Sequence, residues 1–168
     1  DSALYFLTAR SLAEGGGYRY LGEAFFLRPP GLSWFLSLFP LGVGGDPAFA
    51  LLNRVFMLSA TAGVAAVYVA FRRDYGRGWA LVIALLTGTS PIFVDRLNFI
   101  LTDLPFLALL FLALTSLDRG LRGGRGRWMP TVTGALLLVL AIHLRTVAIV
   151  VLPVLVFLYL HRRGDRKW

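Results

Sequence analysis

Asp1, Arg28 and Asp103 are the side chains of this chain whose types and neighbours could do chemistry. Arg28 stands in the stretch FLRPPG. Its guanidinium presents a fork of donors that matches phosphate oxygens, and Pro29-Pro30 would hold it on extended backbone. The competing reading is an arginine that snorkels to lipid headgroups. Asp103 stands in LTDLPFLALL, where Thr102 suits a helix cap and Pro105 falls in the first turn. It either complements the helix dipole or lines a polar mouth with Asp95, Arg96 and Asn98. For Arg54 and Arg145, pairing with an acidic neighbour or with a lipid phosphate is the plainer reading. His143 and His161 are isolated, and the chain has no cysteine, no HExxH, no Walker A loop and no strand-borne GxGxxG.

The elements that must carry these residues are apolar. Of the 168 residues 57% are hydrophobic and 15% charged, with a mean hydropathy of +0.71. Soluble domains run at about 45–50% apolar and about 25% charged, so the composition is that of an integral membrane protein. Residues 48–71, 78–94 and 100–117 each approach the roughly 20 apolar residues that cross a bilayer. Residues 128–160 are too long for one crossing and are expected to form two helices with a tight turn at His143-Leu144-Arg145. The expected fold is all-α: a polytopic transmembrane bundle of about five helices over 48–160. An external loop of amphipathic interfacial helices over 1–47 precedes it, and a basic tail over 161–168 follows.

Most of the 17 basic residues fall in alternate connections. Arg72, Arg73 and Arg77 lie in one, Arg119, Arg122, Arg125 and Arg127 in the next, and Arg162, Arg163, Arg166 and Lys167 in the tail. The positive-inside rule puts these in the cytoplasm and the N-terminal region, the SPIFVDRLNFILTD loop and the HLR turn outside. The net charge of +8 is thereby explained without a nucleic-acid partner. Ser2–Glu14 and Gly31–Pro40 read as two short interfacial helices, broken by GGGY. The chain opens on DSALYFL with neither Met nor a leader, which reads as a piece of a longer protein.

The ordered set DSALYFLTARSLAEGGGY, LRPPG, AFALLNRVFMLSATAGVAAVYVAFRRDYG, LLTGTSPIFVDRLNFILTDLPFLALLFLAL and LAIHLRTVAIVVLPVLVF resembles the GT-C class of membrane glycosyltransferases. The nearest branch holds the dolichyl-phosphate-mannose protein mannosyltransferases and the aminoarabinose transferases that modify lipid A. The resemblance implies a multi-pass protein of a bacterial inner membrane. It would transfer a sugar from a polyprenyl-phosphate donor to a protein, lipid or glycan acceptor on the outer face. It implies Asp1 as catalytic base and Asp103 as a second catalytic acidic residue lining the same cavity. Arg28, with Arg54 and Arg145, would hold the donor phosphate, and Tyr5, Asp95, Arg96 and Asn98 would line the cavity. It implies an earlier helix and later ones, so this piece alone is expected to be inactive. Some relatives carry an acidic metal ligand just before the basic residue of LRPPG; here Leu27 stands there, which argues against a divalent metal at that point.

The chemistry is consistent with that assignment. Sugar transfer from a lipid phosphate needs a base for the acceptor hydroxyl and positive charge on the leaving phosphate. The rival class is a transporter or flippase segment, which would place its charges at mid-membrane on broken helices or repeats. Here they lie near the ends of the apolar stretches, and no repeat is present. A non-catalytic scaffold would leave the convergence of Asp1, Arg28 and Asp103 unexplained.

Overall fold

The computed structural model describes residues 2–39, 47–97, 99–122, 128–154 and 156–157. These form α1 (Ser2–Ala13), a hairpin of β1 (Arg19–Tyr20) and β2 (Glu23–Ala24), and α2 (Gly31–Ser37). The bundle follows with α3 (Pro47–Phe71), α4 (Gly76–Thr89), α5 (Pro91–Arg96), α6 (Asp103–Arg122) and α7 (Trp128–Leu144). A 3-10 turn over Thr146–Val150 closes α7, and helix resumes at Val151. The fold is all-α, as the composition implies, apart from the small hairpin.

Two helices are long and apolar enough to cross a membrane, Ala50–Phe71 of 22 residues and Asp103–Arg122 of 20. The stretch expected as one crossing over 78–94 is divided. Pro91 has no N–H to continue the ladder; α4 ends at Thr89, and the Ser90 hydroxyl accepts from the Phe93 N–H to start α5. The 17-residue α7 ends at the HLR turn, as its charge and length suggest.

The helices pack through small residues. Ala113 and Leu117 of α6 bury against Gly134, Leu138 and Ala141 of α7. A Cβ on Gly134 would stand 2.7 Å from the Leu117 Cγ and 2.9 Å from its backbone nitrogen. This close approach is the way helices associate where lipid removes the hydrophobic drive. The opposite face of α7 shows the complement: Val132, Leu136, Val139 and Leu140 recur at helical spacing and are exposed. Such an apolar outer stripe suits lipid rather than water.

The N-terminal cap sits on one end of the bundle. Tyr5 and Ala9 of α1, Leu32 and Leu36 of α2, Leu52 and Phe56 of α3 and Ile100 and Leu101 form one buried cluster, with Leu144 packed against it. Within it the buried Thr8 and Ser33 hydroxyls meet at 2.7 Å and tie α1 to α2. Gly31 is fixed by closeness, since a Cβ there would collide with the His143 carbonyl. The glycine of LRPPG therefore docks α2 on the end of α7.

Candidate functional site

Arg28 is positioned from three sides. Upstream, Leu21 and Gly22 turn the hairpin with positive φ at both residues, 52° and 89°, the two-residue mirror-image turn that fits strand twist. The register Arg19↔Ala24 and Tyr20↔Glu23 then sets Phe25 against the rings of Tyr18 and Tyr20, at centroid distances of 5.6 and 5.8 Å. The Tyr18 hydroxyl donates to the Arg28 carbonyl at 3.2 Å, which fixes the main chain. The side chain is directed by α1: Arg28 Nη1 donates to the Tyr5 hydroxyl at 3.2 Å, and the guanidinium lies 5.6 Å from the Tyr5 ring centre. Tyr5 is itself 3% exposed, so this partner is rigid.

Asp103 enters from the opposite wall. The Thr102 carbonyl accepts from the Phe106 N–H at 2.9 Å, so α6 starts at Asp103 and its carboxylate lies in the first turn, where the dipole favours it. Asp103 Oδ1 pairs with Arg145 Nη2 at 2.6 Å, and Oδ2 faces Arg96 Nη1 at 3.8 Å. Arg145 leaves α7 on extended backbone, φ −146° and ψ 119°, and its guanidinium lies 6.0 Å from the Phe106 ring centre. Arg96 comes from the last turn of α5.

Tyr5, Arg28, Arg96, Asp103 and Arg145 thus line one cavity of about 440 Å³. Five residues expected at the site from separate parts of the chain meet there. Among the described residues three guanidinium groups and one carboxylate line the cavity, and the two carboxylate oxygens lie toward Arg145 and Arg96. The hollow is net cationic and rich in N–H donors, which fits an anion with several oxygens. Leu27, Pro29 and Thr102 also line it.

Two expected residues lie elsewhere. Arg54 does not line the cavity and is exposed on α3. The neighbours that face the core are Leu52 and Phe56, two positions either side, and about 100° per residue turns Arg54 to the far side of the helix. Asp95 is exposed on α5, while Arg96, one step round the helix, faces inward. Asp1 and Asn98 lie outside the described residues. His143 bonds through Nδ1 to the Val139 carbonyl of its own helix at 2.9 Å. Sequence reasoning missed Tyr18 as a support of the site. The signal for Tyr18 was the alternation YRYLGEAF around a Leu-Gly turn.

A second hollow adjoins the first. It has a volume of about 540 Å³, is bounded by Pro30, Trp34, Phe35, Pro105 and Leu140, and shares Leu144 with the cationic cavity. Pro29 lines one and Pro30 the other, so the Pro-Pro pair separates a charged chamber from a greasy one.

A family model described as dolichyl-phosphate-mannose-protein mannosyltransferase matches residues 27–168. A holo-acyl-carrier-protein synthase from Frankia casuarinae is 32% identical over 78 residues, which is 46% of this chain and 62% of that protein. The chain therefore spans less than two thirds of that relative's length, and this local similarity carries no functional argument. No solved structure matches.

Proposed function

The chain belongs to the dolichyl-phosphate-mannose-protein mannosyltransferase family, and from that premise we propose that it supplies the donor-binding part of a GT-C glycosyltransferase using a polyprenyl-phosphate sugar. The observation that carries this reading is the pairing of the two hollows. A cationic chamber with three arginines opens beside an apolar groove, as a phosphate joined to an isoprenoid tail would require.

In this reading Arg28 and Arg145 hold the donor phosphate and take up the charge that grows on it as the sugar leaves. Asp103 acts as a positioning residue, because both its oxygens hold arginines. Arg96 completes the chamber. Asp1, the residue before α1 in the sequence, is the proposed base, accepting the proton of the acceptor hydroxyl. The tail lies along Trp34, Phe35 and Leu140. The chamber faces the outer side of a bacterial inner membrane, with residues 1–47 as its cap and 48–160 as its anchor. Arg54 and Asp95 have no part in the chamber. A transporter reading has no comparable support, since the charges sit at helix ends rather than at mid-span.

The test uses the full-length protein and a polyprenyl-phosphate sugar. Arg28→Ala should raise the donor KM about 10- to 100-fold, the loss of one charge-assisted hydrogen bond worth about 1.5–3 kcal/mol. Asp1→Asn should abolish turnover with donor binding retained. An unchanged donor KM for Arg28→Ala would sink the phosphate assignment.

A further inference from the structure

At the other end of α6 from Asp103, the last turn of α3, the start of α4 and the last turns of α6 enclose a cavity of about 710 Å³. At about 1.5 Å per residue the rim at Arg119 and Arg122 lies roughly 24–29 Å along α6 from Asp103, close to the thickness of a bilayer core. The rim carries Arg72, Arg73, Arg77, Arg119 and Arg122 against two carboxylates, Asp74 and Asp118. Arg122 engages both, through Nε to Asp118 at 2.8 Å and Nη2 to Asp74 at 3.5 Å. Among the described residues no carboxylate forms an ion pair with Arg72, Arg73, Arg77 or Arg119. All four are exposed, so water and ions screen their mutual repulsion, and together they offer many N–H donors to an oxyanion at the rim.

Two further features point to the source of that anion. α4 begins at the rim with Arg77 in its first turn, and Tyr75 caps it with no side-chain bond, so free N–H groups add to the positive potential. Beneath the rim the wall is apolar: Phe71 and Phe111, with ring centres 6.0 Å apart, and Leu114, all on the two membrane-length helices. Trp79 and Trp128 are 69% and 66% exposed at this same end, the place of an interfacial aromatic belt.

We propose that this cavity is a binding site for an anionic bilayer phospholipid. The phosphate sits among Arg72, Arg73, Arg77 and Arg119, and one acyl chain runs along Phe71, Phe111 and Leu114. Basic pockets between membrane helices take anionic headgroups in this way. The site is separate from the donor chamber and stands whether or not that chamber binds a sugar donor.

The test titrates the detergent-solubilised protein with dioleoyl phosphatidylglycerol, with dioleoyl phosphatidylcholine and with inorganic phosphate, reading the melting temperature and the lipid retained in native mass spectra. Phosphatidylglycerol should raise the melting temperature saturably and be retained; the other two should do neither at the same concentration. Arg73→Gln with Arg77→Gln should weaken phosphatidylglycerol binding about thirtyfold, from about 1 kcal/mol per basic residue. Arg19→Gln, on the distant hairpin, should leave it unchanged. Equal stabilisation by phosphatidylcholine overturns the proposal, as does undiminished binding in the double variant. An inorganic-phosphate response equal to that of phosphatidylglycerol overturns the lipid assignment. Should the double variant not fold, the three-probe comparison on the wild-type protein decides by the same outcomes.

Discussion

Asp103 shows how little one ion pair does for stability and how much it can do for geometry. Its side chain is 25% exposed and that of Arg145 46%, so water screens the pair and its worth is at most about 1 kcal/mol. Its effect lies in the direction it gives Arg145 and Arg96. Asp103→Asn should therefore shift the melting temperature little, raise the donor KM several-fold, and leave kcat nearly intact, because the arginines remain but lose their aim. A collapse of kcat at unchanged KM would instead mark Asp103 as a base. Tyr18 gives a different handle. Burial holds its phenol above the ordinary value of 10.0, against smaller opposing pulls from Ser33 and Arg28. For an acid whose folded pKa is raised, the unfolded chain ionises first. Its contribution is thus constant below about pH 10 and falls as pH rises through the folded value. Tyr18→Phe should lower the melting temperature near neutral pH, through loss of the bond to the Arg28 carbonyl, yet flatten its decline above pH 10. Parallel alkaline curves for the two proteins would count against this account.

The helix contacts are where substitutions should act most directly on stability. Gly134→Ala places a methyl 2.7 Å from the Leu117 side chain and 3.0 Å from the Ala113 carbonyl, so α6 and α7 must part. Overpacking of this kind costs about 1–3 kcal/mol, readable as a fall in melting temperature. Gly78→Ala on α4 meets nothing within 4 Å and should be neutral or stabilise by up to about 1 kcal/mol. The pair separates a steric role from mere helix propensity: equal effects would discard it. Elements of this kind were only partly legible. The long apolar runs, the Thr102-Asp103 helix start and the HLR break could be read directly, because charge and proline interrupt hydrophobicity there. The hairpin left only a faint mark, the short alternation YRYLGEAF, since strands of two residues barely show a period. Nor did sequence separate Arg54 from Arg145, as both are arginines near helix ends. The difference is rotational: Leu52 and Phe56 fix the face of α3, whereas Arg145 leaves its helix and turns into the cavity. Apolar outer stripes make such rotations hard to read in a membrane helix, because lipid-facing and core-facing positions carry the same residue types.

At the scale of the whole molecule the two cavities define an axis. α6 carries Asp103 at its start and Arg122 at its end, and Arg72, Arg73, Arg77 and Arg119 gather at the second end. The local helix electrostatics fit, since acidic charge lies at the α6 N-terminus and basic charge at its C-terminus. The larger constraint is insertion, and the positive-inside rule predicts that the clustered arginines lie on the cytoplasmic side. The chain contains no cysteine, so single introduced thiols report each end separately. Gly22→Cys, at the hairpin turn, should react with a membrane-impermeant maleimide in intact spheroplasts. Gly78→Cys, at the start of α4 beside the arginine-lined cavity, should react only after the membrane is opened. Both positions have open space around them, so a thiol fits there, although the positive φ of Gly22 adds some backbone strain. Labelling in the reverse order would invert the molecule. The chamber formed by Arg28, Arg96 and Arg145 would then face the cytoplasm, and the acceptor would have to come from that side.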